Sequence, residues 1–254
     1  MPHQLVPGQS GGTRMTSAAP VALPPAVTRL AALAPLDGED MAALLTAAAG
    51  SARRIPARRE VLGEGQPVPQ AQILLSGWAC RVQMLTDGRR QIVSLMLPGD
   101  LIGMCRQRDP LASSAILALT DVATCLAPEP REGQRGSGLA EAYALSGALD
   151  EAYLLRNITR LGRLSAYERT ADLLLEIHER LTLAGIANGN MFPMPLTQEM
   201  LADALGLTSV HVNRTLQTMR RDGSVSLRAG TAVLSDPARL ASMVDHRPLR
   251  VTSR

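Results

Sequence analysis

At 254 residues the chain has room for one large domain or two ordinary ones, and its 46% apolar content is ample for buried cores. Only five residues are aromatic, so those cores are built from Leu, Ala, Val and Met, and no run approaches the roughly 18 continuous apolar residues of a membrane span. The net charge of +3 is too mild to argue for nucleic acid by itself, yet all 26 basic residues are arginine, a planar fork suited to phosphate and guanine.

Residues 1–25 are rich in Pro, Gly, Ser and Ala and lack a basic start followed by an apolar run. They read as a disordered tail rather than a secretory signal. Cys80, Cys105 and Cys125 are an odd, widely spaced set, which suits reduced thiols better than a disulfide framework. The expectation is a soluble, cytoplasmic protein.

Thr28 to Leu45 reads as helical, with Asp37 capping a second short helix. From Arg53 to Ala127 short Val, Ile and Leu-rich runs follow one another: Gln72–Leu75, Ala79–Leu85, Gln91–Leu95 and Val122–Leu126. Turn signals separate them, among them Ser76-Gly77, Asp87-Gly88 and Pro98-Gly99-Asp100. Asp-Gly between alternating runs predicts a hairpin, and strands this short imply an antiparallel barrel or jelly roll. Pro128 to Gly138 is a breaker.

Leu139 to about Arg163 reads as one long helix. Ala142, Leu145, Leu149 and Ala152 are spaced three, four and three, the stripe of a coiled-coil seam. Such a helix either spans domains or pairs with a copy of itself, and the pattern favours pairing. Ser165 and Glu168 then form a capping box for a helix with one apolar face, which includes His178. A lone His on such a face reads as a satisfied core residue; His3 and His246 read as surface residues.

From Pro195 onward eight arginines face five acids, so this stretch carries the whole charge excess. Thr197 can cap a helix, with Leu196 and Leu201 as its staple, and Thr208 a second, with Leu207 and Val212. Gly206 lies at the turn between them, where a left-handed backbone is least strained without Cβ. Leu201, Leu205, Leu207, Val212 and Leu216 form the shared core. Two capped helices joined by a tight Gly-containing turn make a helix-turn-helix, whose second helix enters the major groove.

The residues whose heads are free there are Ser209, Val210, His211, Asn213 and Arg214, with Thr197, Gln198 and Thr208 at the two helix starts. Arg214 suits both acceptors of a guanine, Asn213 an adenine or a phosphate, and Val210 a thymine methyl. Val225–Leu227 and Thr231–Leu234 flank Arg228-Ala229-Gly230, a two-stranded wing whose arginine suits backbone phosphate. The predicted organisation is α+β: a tail (1–25), a β-roll sensor-like domain (26–136), a dimerisation helix (137–164), a winged helix-turn-helix (165–246) and a tail (247–254).

Several phrases together resemble the Crp/Fnr superfamily of bacterial transcription regulators. They are Ser76-Gly77-Trp78-Ala79-Cys80-Arg81, Asp87-Gly88-Arg89-Arg90-Gln91, Leu97-Pro98-Gly99-Asp100, Ser165-Ala166-Tyr167-Glu168-Arg169 and Leu196-Thr197-Gln198-Glu199. Gly206-Leu207-Thr208-Ser209-Val210-His211-Val212-Asn213-Arg214 is similar to one branch of it. The resemblance implies an N-terminal β-roll of the cyclic-nucleotide-binding fold, a long dimerisation helix and the winged reader. It further implies a homodimer on palindromic double-stranded DNA, with half-sites about one helical turn apart, and RNA polymerase as a partner.

Cyclic-nucleotide binders of this family place a Glu shortly after the Gly-Asp turn and an Arg-Ser-Ala run for the phosphate. Here Met104 and Ser113-Ser114-Ala115 occupy those positions, and a buried phosphate without its arginine loses a strong charge-assisted pair. Arg106 and Arg108 are the nearby substitutes. The expectation is a β-roll without a nucleotide site. An iron–sulfur cluster needs about four cysteine ligands and the chain has three, so no cofactor is expected; Cys80 reads as a packed small hydrophobe, and haem or metal through His178 or Cys105 stays open. No paired carboxylates, nucleophile–base set or phosphate loop appears, which argues against an enzyme.

Overall fold

The computed structural model describes residues 22–50, 52–105, 108–131 and 138–250. Most of the predicted N-terminal tail, with His3, lies outside them, as does Arg106. Pro25 is already helical: α1 (Pro25–Leu33) starts on it, where its missing N–H is no loss, and buries Ala26, Val27 and Leu30. The Asp37 carboxylate accepts from the amides of Glu39 and Asp40 and so caps α2 (Gly38–Ala49).

Eight short strands follow: β1 (Arg53–Ile55), β2 (Glu60–Leu62), β3 (Gln72–Ser76), β4 (Ala79–Met84), β5 (Arg90–Met96), β6 (Leu101–Ile102), β7 (Ala115–Ala118) and β8 (Val122–Leu126). They form two antiparallel four-stranded sheets, ordered β1-β8-β3-β6 and β2-β7-β4-β5. Ile55, Val61, Leu74, Ile102, Ile116 and Val122 fill the space between them. The Asp87-Gly88 hairpin joins β4 and β5, with Met84 opposite Arg90. Gly77 turns between β3 and β4 at φ 78°, where an added Cβ would lie 2.1 Å from the Asp121 carbonyl oxygen, so no other residue fits. Cys80 is buried, and that burial pushes its thiol up to about 12, the behaviour of a packed hydrophobe.

The long helix α3 (Gly138–Arg163) leads into α4 (Ala166–Leu183), which starts with the expected Ser165–Glu168 capping box. A chain of buried charges joins these helices to the roll. Arg180 donates to Asp100 (2.5 Å) and Glu176 (3.1 Å), and Arg160 to Asp172 (2.7 Å) and Glu176 (2.6 Å). Arg29 of α1 pairs with Asp100 at 2.9 Å. Burial alone would push the Asp100 carboxyl up, but the Arg180 and Arg29 guanidiniums overcome it and hold it below the ordinary carboxylate range.

The remainder is β9 (Met191–Pro193), α5 (Gln198–Leu205), α6 (Ser209–Arg221), β10 (Val225–Arg228), β11 (Thr231–Leu234) and α7 (Pro237–Met243). The wing is three-stranded rather than two, because β9 adds to β11 with Ala232 opposite Phe192. The chain then returns over α4. His246 is not a surface residue: it is 6% exposed, its Nδ1 lies 2.6 Å from Asp172 and its Nε2 3.0 Å from Glu179. Nor is 247–250 a loose tail, since Arg156 donates to the Arg247 carbonyl and Pro248, Leu249 and Arg250 wall a groove with Leu145 and Leu149.

Candidate nucleic-acid interface

The reader is built from local rules. Thr197 Oγ1 accepts from the Met200 amide at 3.2 Å and starts α5; Thr208 Oγ1 accepts from the His211 amide at 3.2 Å and starts α6. Between them Gly206 closes α5 at φ 62°, in the left-handed region. Leu201, Leu205 and Val212 are fully buried and Leu207 and Leu216 pack against them, as expected.

In α6 the buried residues Val212, Thr215 and Met219 are spaced three and four, which turns the opposite face outward. Val210 is 69% exposed, an unusual state for a large apolar side chain, and Ser209, His211, Asn213 and Arg214 are exposed beside it. Arg228 is exposed at the wing tip, held there by Ala229 (φ 49°) and Gly230 (φ 74°), two consecutive left-handed residues of a tight hairpin turn. Thr197, Gln198 and Ser209 differ in setting from the rest: they border a cleft of about 590 Å³ whose other wall is the β-roll. The residue pattern also left out Gln217, Arg220 and Arg221, which are exposed on the same helix with no acidic partner among the described residues. The dibasic Arg220-Arg221 pair was the available signal.

The reader is seated on the roll by polar contacts. Arg90 donates to Asp203 (2.5 Å), Gln91 to the Asp203 carbonyl (2.7 Å), and Asn157 of α3 to the Val93 carbonyl (3.0 Å). His178 Nε2 lies 2.8 Å from the Gly189 carbonyl, and its ring tilts against Phe192.

The stripe expected to pair two copies sits differently. Ala142 is 0% exposed, packed in a cluster with Ala26, Val27 and Leu30 of α1, and Leu149 is also buried. Leu145 and Ala152 are half-buried. This face of α3 is turned toward its own subunit. Ala144, Ala148, Glu151, Leu155, Ile158 and Gly162 instead form the exposed row, spaced four, three, four, three and four.

Residues 168–243 match the family model of the Crp-like helix-turn-helix domain. The nitrogen fixation regulation protein FixK of Bradyrhizobium diazoefficiens is 36% identical over 67% of this chain and 72% of its own length. The chain belongs to the Crp/Fnr family. The transcriptional activator protein FnrL of Cereibacter sphaeroides is 33% identical over 74% of this chain and 78% of its own. Among solved structures, FixK2 from Bradyrhizobium japonicum superposes with a TM-score of 0.63 at 25% identity, over 79% of this chain and all of that one. This Crp/Fnr protein is thus a DNA-binding transcription regulator with a β-roll, a long central helix and a C-terminal helix-turn-helix. No helix of the described residues is long and apolar enough to cross a membrane.

Proposed function

We propose that this regulator binds a palindromic operator as a homodimer and reads each half-site with Val210, His211, Asn213 and Arg214. Thr197, Gln198, Thr208, Ser209 and Arg228 hold the flanking backbone. The observation that carries this is the open first turn of α6: its apolar Val210 and the polar heads beside it face solvent while the rest of the helix is anchored. The two copies pair along the exposed row of α3 that includes Leu155 and Ile158 rather than along Ala142, Leu145, Leu149 and Ala152. Residues Thr208 to Arg214 support membership of the branch that carries Thr-Ser-Val-His-Val-Asn-Arg, and on this reading the protein acts in the cytoplasm with RNA polymerase as partner.

Its β-roll works without cyclic nucleotide. Met104 and Ser113 stand where the family's cyclic-nucleotide binders carry a Glu for the ribose and an Arg for the phosphate, which supports this reading. Three cysteines in the whole chain argue against an iron–sulfur input. Selection from random duplexes by the full-length protein tests the reading. A palindrome with half-site centres about one helical turn apart is expected. Recovery of no common sequence, or of a single unrepeated half-site, overturns it; micromolar binding of cyclic AMP by calorimetry overturns the effector reading alone.

A further inference from the structure

The strap that follows α7, residues 244–250, runs along the groove between α3 and α4, and its anchors are mainly polar. His246 is enclosed between Asp172 and Glu179 of α4, and Arg156 of α3 donates to the Arg247 carbonyl. Val244 is its one buried apolar side chain, whereas Pro248 is exposed and Leu249 half-buried. Such anchoring fixes the course of the strap and leaves the space beside it unfilled. Between strap and α3 runs a groove of about 500 Å³, with Ala152, Leu155, Thr159 and Leu164 on one side and Leu249 on the other. Arg156 Nη1, in the same wall, is shut off from solvent with no hydrogen-bond partner among the described residues. An apolar trough beside an orphan donor marks a surface that another chain completes.

The helix itself says which chain that is. In the exposed row of α3, Leu155 falls at position a of a heptad and Ile158 at d. Ala152 and Thr159 of the groove wall are then both e residues, so the groove borders the row directly. On the operator reading above, both readers meet one duplex from the same end of α3, and the paired helices therefore run parallel. In a parallel pair a g residue of one helix packs beside the e residue five places on in the other. Leu154 is the g residue whose counterpart is Thr159, and in its own subunit it is only half-buried.

We infer that the strap is part of the dimer interface: Leu154 of the partner subunit enters the groove between α3 and the strap and packs on Leu249. The inference rests on the α3 pairing proposed above and deepens it, because each subunit then holds the other by its central helix and by the chain that crosses α4. The strap thereby links the fold of the reader, from which it emerges, to the assembly of two readers.

The test uses the full-length protein. Within one subunit Leu154 and Leu249 cannot meet, since Leu154 is about 200° round α3 from Ala152 of the groove wall. L154C/L249C, made in a Cys105→Ser background, should therefore give a covalent dimer on a non-reducing gel after mild oxidation, and neither single variant should. Sedimentation equilibrium supplies a second readout. Leu249→Ala should weaken the dimer constant about tenfold or more. Combined with Leu154→Ala it should cost less than the two separate losses together, whereas a strap that packs only on its home subunit gives additive losses. Additive losses, or a folded double-cysteine variant that stays monomeric on the gel, overturn the inference. A covalent dimer from Leu249→Cys alone also overturns it, because the two straps would then touch each other. In each of these cases the α3 reading stands if L155E/I158E still dissociates the dimer; a dimer constant unchanged by L155E/I158E sinks both.

Discussion

The proposed pairing of two copies along α3 can be tested at Leu155 and Ile158, which are 59% and 68% exposed in the single subunit. Complete burial of such a side chain is worth about 1.5–3 kcal/mol. With more than half of each left to bury, each offers about 1–2 kcal/mol and the four in a dimer about 4–8 kcal/mol. At about 1.4 kcal/mol per tenfold change, L155E/I158E should weaken dimerisation by about a thousandfold or more, since the carboxylates also resist burial. Sedimentation equilibrium reads this directly, and operator binding should fall with it because one half-site supplies too little contact. L149E provides the contrast: Leu149 is buried within its own subunit, so its replacement should lower Tm, while the folded fraction remains dimeric. An unchanged dimer constant for folded L155E/I158E refutes the reasoning. So does an L149E protein that melts normally but sediments as a monomer, because the stripe through Leu145 and Leu149 would then be the interface.

Three other outcomes follow from named contacts. Arg214→Ala should cost about 1–3 kcal/mol on the operator and relax preference at one base pair, as read by competition with single-substitution duplexes; equal loss on random DNA would make it a phosphate contact. Arg160→Ala leaves Asp172 with His246 alone and Glu176 with Arg180 alone, two buried carboxylates short of one cation, and should lower unfolding free energy by about 3 kcal/mol in urea titrations. For His246, burial pulls its pKa down, but the hydrogen bonds to Asp172 and Glu179 outweigh this and raise it above 6.5. Its stabilisation is therefore full below 6.5 and lost as pH rises through the elevated folded value, whereas that of Asp172, whose pKa is lowered, is lost only in acid. Tm measured from about pH 5 to about pH 9 should decline on the alkaline side, and H246Q should flatten that limb.

What could be read from the chain and what could not divides along sequence distance. The reader was legible because its rules are local: Thr197 and Thr208 meet amides three residues on, and Gly206 sits within one turn of both helices. The Asp87-Gly88 hairpin is local in the same way. β1, β2, β6 and β7 escaped notice because each is two to four residues long, too short to show alternation, and takes its partners from afar, as Ile55 does from Val122. α3 is ambiguous for a different reason. It carries two apolar rows, one through Ala142, Leu149 and Tyr153 and one through Leu155 and Ile158, and a spacing rule cannot tell which faces the home subunit. His246 looked like a polar terminus since its carboxylates lie 74 and 67 residues away in the chain. α7 did leave a signal, Asp236 before Pro237, which is a cap followed by a first-turn proline.

The phrase Leu97-Pro98-Gly99-Asp100, which helped reveal the family, has its physical explanation in assembly. The Leu97 amide donates to Asp100 at 2.7 Å and fixes the turn, and the Gly99 carbonyl accepts from Arg29 at 2.7 Å. Asp100 then takes Arg180 of α4, whose guanidinium also lies 4.5 Å over the Tyr153 ring of α3. From there the pairs run through Glu176, Arg160 and Asp172 to His246. A seam of this kind adds little net stability over an apolar one of equal volume, yet loss of any one partner is severe. What it has that a greasy seam lacks is one allowed geometry, since each fork must meet its own carboxylate. The seam thereby fixes one arrangement of roll, central helix and reader, which the proposed symmetric reading of two half-sites would require. The Gly99-Asp100 turn serves that joint.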